Sequence, residues 1–188
     1  MNRITTYIRQ SLQDIYPPEE VKALSMLICC DMLGVDALDI YMGKDIILSA
    51  CKQRELENII FRLQKNEPIQ YIRGYAEFCG RNFRVAPGVL IPRPETAELV
   101  DLIVKENLDA RRLLDIGTGS GCIAISLDKN LPDAKVDAWD ISEEALAIAR
   151  KNNEELDAQV TFRRQDVFSA DGIQGASYDI IVSNPPYV

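Results

Sequence analysis

Apolar residues open the chain at helical spacing. Ile4, Ile8 and Leu12 fall on one face, and Pro17-Pro18 then breaks the run. From Glu19 the pattern resumes through Val21, Leu24, Leu27, Ile28 and Met32 to Gly34, a residue suited to a helix C-cap. Residues 38–42 and 45–48 read as short helical pieces. Leu56, Ile59, Ile60 and Leu63 mark an amphipathic helix that closes near Asn66, ahead of Pro68. Residues 1–68 are therefore expected to form a small helical domain, near the lower size limit for independent folding.

Residues 69–92 change character. Phe78, Phe83 and Val85 around Gly80 predict a β-hairpin linker, and Pro87-Gly88 and Pro92-Arg93-Pro94 predict turns. Helical spacing returns from Thr96 or Ala97 to about Asn107, through Leu99, Ile103 and Val104. Beyond it the pattern alternates. Leu113-Leu114-Asp115-Ile116 is a strand, residues 122–129 a helix, residues 136–139 a second strand, and Ser142 begins a helix through Leu146, Ile148 and Ala149. Residues 160–162 and 178–182 give a third and a fourth strand. Such alternation specifies an α/β fold with a parallel, doubly wound sheet, over residues 93–188. Ligands in these sheets bind beyond the carboxyl ends of the strands. Asp115 with residues 117–121, Asp140, Asp166 and Asn184 all fall there.

Charge and composition narrow the chemistry. The chain carries 29 acidic against 21 basic residues, a net charge of −8, with no Lys/Arg block of the kind that tracks phosphates. Direct nucleic-acid binding is not expected, and a protein partner with a basic surface is the easier reading. There is no histidine, and the cysteines form no CxxC pair. Zinc sites and imidazole-based catalysis are unsupported, and no metal is expected. No apolar run is long enough to span a bilayer and no signal peptide opens the chain, so a cytoplasmic protein is expected.

Gly117-Thr118-Gly119-Ser120-Gly121 follows a strand and opens a helix. A dinucleotide fingerprint wants glycine where Cys122 stands, and a phosphate loop wants Gly-Lys-Ser/Thr. The loop thus suits a nucleoside without phosphates, or else is only a tight turn. Asp115 is placed beside a cationic group such as the amino group of a methionyl moiety. Asp140 follows Gly121 at about the 20-residue spacing at which an acidic residue binds ribose hydroxyls, the bland alternative being a helix cap. Asp166 either approaches the adenine amine or ends a strand. Phe168 is either an apolar wall for the adenine or a core residue.

Asn184-Pro185-Pro186-Tyr187 is the sharpest feature. Two prolines stiffen the turn and fix carbonyl directions. An amide nitrogen is a poor nucleophile because its lone pair is delocalised. The Asn184 side-chain oxygen and the Pro185 carbonyl can accept both of its N–H groups, orienting the nitrogen toward a methyl group, with Tyr187 packed over it to exclude water. No general base is needed before transfer, so positioning dominates, helped by carbonyl dipoles near the developing positive charge.

Taken together, these motifs resemble a class I (Rossmann-like) methyltransferase acting on an amine or amide. Glu67-Pro68-Ile69-Gln70-Tyr71-Ile72, Gly74 and Gly88-Val89-Leu90-Ile91-Pro92-Arg93-Pro94-Glu95-Thr96 narrow the resemblance to the release factor glutamine methyltransferases (the HemK or PrmC family). The resemblance implies a helical docking domain, a hairpin linker and a methyltransferase domain. It implies S-adenosylmethionine as donor, with S-adenosylhomocysteine as product. The substrate would be the glutamine of the Gly-Gly-Gln motif in bacterial release factors 1 and 2. By position, Gly117, Thr118, Gly119, Ser120, Gly121, Asp140, Phe168 and Asn184 would contact the donor, while Asn184, Pro185, Pro186 and Tyr187 would hold the glutamine. Two departures stand out. Family members continue Pro-Glu-Thr with a second Glu, where this chain has Ala97. The family sheet has seven strands, so a chain ending at Val188 is expected to be truncated, with low or absent turnover. Two alternatives remain: an adenine-N6 nucleic-acid methyltransferase, since the same turn can hold a base amine, and a non-enzymatic fragment.

Overall fold

The computed structural model describes residues 2–169 and 177–185. Its contacts divide the chain into two compact units, Met1–Arg73 and Gly74–Val188. Among the described residues no helix is long and apolar enough to cross a membrane.

In the first unit, α1 (Arg3–Leu12) is capped by Asn2, whose side chain accepts the Ile4 N–H at 2.8 Å, and it buries Ile4, Ile8 and Leu12. α2 (Pro18–Met26) begins on a proline, whose missing N–H would have had no helical partner there. It runs on into a wider π-type stretch over Leu27–Met32, and Gly34, at φ +63°, follows its end. The wider coil shows in the Leu33 N–H, which reaches back to the Ile28 carbonyl at 2.9 Å. α3 (Ala37–Tyr41) and α4 (Ala50–Leu63) are capped by the Asp36 and Ser49 side chains, and α5 (Ile69–Arg73) closes the unit. Val21, Leu24, Ile28, Leu33, Leu56, Ile60 and Leu63 meet the α1 stripe in one apolar core.

Two local expectations are corrected here. Residues 45–48 are not helical. Ile46 and Leu48 pack against the core while Ile47, between them, is 93% exposed, the two-residue alternation of extended chain. Residues 69–73, read as the start of the hairpin linker, form α5 instead.

The second unit opens with the hairpin of β1 (Tyr75–Phe78) and β2 (Arg81–Arg84), paired from Tyr75↔Arg84 to Phe78↔Arg81. Its turn residues, Cys79 and Gly80, both take positive φ, 46° and 70°, the twist that a two-residue hairpin favours. Then come α6 (Pro94–Glu106), β3 (Arg112–Ile116), α7 (Cys122–Asn130), β4 (Lys135–Asp140), α8 (Glu143–Glu155), β5 (Thr161–Arg164) and β6 (Ile180–Ser183). The four later strands form one parallel sheet in the order β5-β4-β3-β6. The fold is the α/β arrangement that the alternation specified, with its helical first part, hairpin and four parallel strands. Pairing in β6 starts at Ile180 rather than Tyr178; just ahead of it the Asp179 carboxylate accepts the Arg111 and Arg112 N–H groups at 2.7 and 2.8 Å.

Leu113, Val136, Ala138 and Val182 from the strands, with Val160 just ahead of β5, pack with Val100, Ile103, Ile123 and Leu127 from the helices, which fixes the sheet between its covering elements. The chain winds from β3 through β4 to β5 on one side and returns to β6 on the other. The reversal lies between β3 and β6, and a crevice opens there at the carboxyl edge.

Candidate functional site

Four turns leave that edge. The first is the glycine loop after β3. The Gly117 and Thr118 N–H groups donate to the Trp139 carbonyl at 2.8 and 3.0 Å, pinning the loop to the end of β4. Gly117, Gly119 and Gly121 all take positive φ, at 73°, 55° and 80°. A side-chain carbon would meet nothing within 4 Å at Gly117, so that face of the loop is open to a ligand. At Gly121 it would press on Ile125 Cδ1 at 3.1 Å and Ala149 Cβ at 3.2 Å. Gly121→Ala combines that crowding with a left-handed backbone, and is expected to cost about 2 kcal/mol, measured by urea unfolding of the second unit.

Asp115, beneath this loop, is fully buried. Its Oδ2 accepts the Thr118 hydroxyl at 2.7 Å, while Oδ1 has no hydrogen-bond partner among the described residues. The sequence placed it beside a cationic ligand group; here its carboxylate lies against the loop that such a ligand would touch. Burial pushes its pKa up to about 6; the Thr118 hydroxyl and Ala124 amide pull it down, and the Asp140 charge adds to the rise. A carboxyl raised on folding stabilises the fold at low pH, and that stability is lost as pH rises through about 6. The stability of Asp115→Asn relative to the unsubstituted chain should therefore grow from about pH 4 to about pH 6, by at most about 3 kcal/mol, and stay flat above. Urea unfolding across that range checks it.

Asp140 ends β4. Its Oδ2 accepts the Gly119 N–H at 2.9 Å and its Oδ1 the Ser142 N–H at 2.9 Å. Ser142 itself caps α8, accepting the Ala145 N–H on its own hydroxyl at 3.1 Å. Asp140 is therefore not the cap: it links the glycine loop to the turn after β4 and keeps free lone pairs on both oxygens.

Asp166, after β5, accepts the Phe168 N–H at 2.9 Å, a side-chain turn that ends the strand. Phe168 is 95% exposed rather than part of the core. Ile141, next to Asp140, is 62% exposed and was not singled out in the sequence. The Arg164 guanidinium donates to the Ile141 carbonyl at 3.1 Å, and the Gln165 N–H to the Asp140 carbonyl at 3.0 Å, so the two turns lie side by side.

Asn184 follows β6, and its Nδ2 donates to the Thr96 hydroxyl at 3.1 Å. Thr96 is buried in the first turn of α6. Leu90, Pro92, Thr96 and Asn184 close a small cavity of about 40 Å³ against Gly117, Gly119 and Ser120. Pro185 is exposed beside it, while Pro186 and Tyr187 lie outside the described residues. Thr96, Leu90 and Pro92 were missed as site residues. Their signal was the Gly88-Val89-Leu90-Ile91-Pro92-Arg93-Pro94-Glu95-Thr96 run itself, read only as turns and a family mark. A larger cavity, about 820 Å³, sits at the opposite edge where Arg112, Lys135 and Thr161 begin their strands. Arg112 in its wall is paired with Asp137 at 3.4 Å, and the cavity holds none of the motifs, so volume does not choose the site. The carboxyl edge combines an open glycine loop, an oriented carboxylate, exposed apolar side chains and a fixed amide: the parts needed to bind a nucleoside and orient a nitrogen toward it.

Comparison with known proteins identifies the relatives of this chain. Residues 95–188 match the family model described as "Methyltransferase small domain", and residues 4–74 the model described as "PrmC N-terminal domain". A release factor glutamine methyltransferase from Bacteroides thetaiotaomicron is 98% identical over 188 residues, covering 100% of this chain and 68% of its own length. One from Flavobacterium psychrophilum is 41% identical, covering 97% of this chain and 66% of its own. Among solved structures, the 16S rRNA N2 G1207 methyltransferase of T. thermophilus, in complex with AdoMet and guanosine, superposes with a TM-score of 0.52 at 25% identity, over 61% of this chain and 32% of that one.

Proposed function

The chain belongs to the release factor glutamine methyltransferase family, within the S-adenosylmethionine-dependent methyltransferases, and we propose that it transfers a methyl group to the side-chain amide nitrogen (N5) of the glutamine in the Gly-Gly-Gln motif of release factors 1 and 2. The donor, when bound, supplies an electrophilic methyl group on a sulfonium that leaves as a neutral thioether. The residues of the edge fit such a donor. The open glycine loop takes its backbone, the free lone pairs of Asp140 take the ribose hydroxyls, and Ile141 with Phe168 walls the adenine, near Asp166. Asp115 acts from beneath by holding Thr118.

The single observation that carries the amide reading is the anchored Asn184. With its Nδ2 engaged by Thr96, its Oδ1 is left to accept a substrate N–H at the rim of the crevice beside the glycine loop. Pro185 offers a carbonyl for the second N–H, and Pro186 and Tyr187 complete the turn in this proposal. The work asked of the chain is orientation and water exclusion rather than proton transfer. The helical region, residues 1–68, is assigned to docking the release factor, with residues 69–92 as linker and the cytoplasm as its setting.

The test is methylation of purified release factor by this sequence carried at the length of its Bacteroides thetaiotaomicron relative, read by mass spectrometry. One methyl group on the glutamine of the motif supports the proposal; an unmodified glutamine beside demonstrated donor binding sinks it. A base amine is the second reading, favoured by the likeness to the rRNA methyltransferase but opposed by the net charge of −8. Methylated adenine in nucleic acid offered to the same protein would favour it instead.

A further inference from the structure

The inner face of α8 carries Ala145, Leu146, Ala149 and then Asn152, all buried. Asn152 is fully enclosed, and its amide is spent entirely on backbone. Its Oδ1 accepts the Arg84 N–H at 2.7 Å, and its Nδ2 donates to the Arg84 carbonyl at 3.1 Å and to the Ser120 carbonyl at 2.8 Å. Because these partners are peptide groups with fixed roles, the amide can sit only one way round. Arg84 ends β2, and Asn152 meets its N–H and C=O together, as a neighbouring strand would. Ser120 belongs to the glycine loop. One side chain thus fastens two segments that are far apart in sequence.

The consequence lies further along the chain. Beyond Arg84 come Leu90, Pro92 and Thr96, which face the glycine loop across the crevice, and Thr96 holds Asn184. The donor loop and the segment that presents the substrate side are located by the same amide. An outer ion pair, Arg84 Nε to Glu155 Oε1 at 2.6 Å, joins β2 and α8 as well, but its partners are half exposed and it contributes little. We propose that Asn152 is a positioning residue for methyl transfer, coupling occupancy of the glycine loop to the hairpin strand and the segment behind it. This rests on the reading of the loop as the donor site. An opening that withdraws Asn152 on α8 from Arg84 also withdraws it from Ser120, and the donor binds that opened form less well. Donor binding therefore resists the opening, and by linkage hairpin order strengthens donor binding.

Amide hydrogen exchange of the 188-residue chain, with and without S-adenosylhomocysteine, reads this directly. At a concentration about 100 times Kd, exchange at Arg84 is expected to slow by at least about tenfold, toward the roughly 100-fold limit for complete coupling. Gly119, inside the loop, is the control for binding. Slowing at Gly119 with less than about a twofold change at Arg84 overturns the coupling while leaving the donor site intact. Slowing at neither position overturns the donor-site reading itself, and the inference with it. The near-isosteric Asn152→Leu variant supplies a second measurement. It should keep a cooperative unfolding transition, bind S-adenosylhomocysteine at least about fivefold more weakly, and no longer pass donor protection on to Val85, whose N–H bonds the Gly74 carbonyl. Donor protection at Val85 undiminished in the variant overturns the proposal; if the variant does not fold, the exchange experiment on the unsubstituted chain decides.

Discussion

Asp140→Ala is expected to weaken S-adenosylhomocysteine binding by about 10²- to 10³-fold, the larger loss coming from ligand contacts rather than from the fold. A hydrogen bond to a charged group contributes about 1.5–3 kcal/mol, and two ribose hydroxyls sharing one carboxylate, each near the low end of that range, come to about 3–4 kcal/mol, at about 1.4 kcal/mol per tenfold. The substitution also releases the Gly119 and Ser142 N–H groups, which the carboxylate holds at 2.9 Å each, so the loop loses part of its preparation for the ligand. The start of α8 should survive, because Ser142 caps it with its own hydroxyl. Calorimetric titration gives the affinity, and circular dichroism checks that helix content is unchanged. A loss below about threefold in a folded variant would remove Asp140 from the donor site.

What could be read from the sequence follows from which signals are periodic. The sheet was legible because Leu113, Val136 and Val182 lie in apolar runs that read as strands, with Val160 and Phe162 marking the third, and the turns after them carry the polar residues. The shared direction of the parallel strands then places Asp140, Asp166 and Asn184 at one edge. Residues 45–48 failed because four residues cannot separate a helical repeat from a two-residue one; the exposure of Ile47 between Ile46 and Leu48 settles it. The π-type stretch over Leu27–Met32 keeps the same apolar residues on roughly the same face, so periodicity does not register it.

The site was legible only where a residue acts through its own motif. Asp140 and the glycine loop announce themselves by spacing. Thr96 and Asn152 act through residues remote in the chain, Asn184 and Arg84 with Ser120, and no local pattern encodes such a pairing. Asn152 did leave a trace, a polar residue three positions after Ala149 on the stripe that helix α8 buries. A buried amide must find partners, and that requirement is itself a clue to look for them. Phe168 shows the reverse case: an aromatic residue after a strand reads equally as core, and only its exposure separates the two.

Asn184→Ala is expected to lower kcat for release-factor glutamine methylation by about 10²- to 10³-fold, comparable to removing one preorganised polar group from an active site. The amide nitrogen has its lone pair drawn into its own carbonyl, so reaction depends on holding both N–H groups while the nitrogen faces the methyl group. In the proposed function Asn184 holds one of them rigidly, since Thr96 holds its Nδ2 at 3.1 Å from a buried position on α6. Donor affinity should fall by no more than about tenfold, because the glycine loop and Asp140 remain in place. Thr96→Val tests the anchor separately. It leaves the Asn184 oxygen present but loosely aimed, and should lower kcat by about tenfold with little change in donor affinity, while Thr96→Ser restores it. Single-turnover rates with S-adenosylhomocysteine affinities measured in parallel distinguish the outcomes. Asn184→Ala with more than about a tenth of the original kcat would remove the amide-positioning role. A kcat loss matched by an equal loss of donor affinity would assign Asn184 to the donor alone.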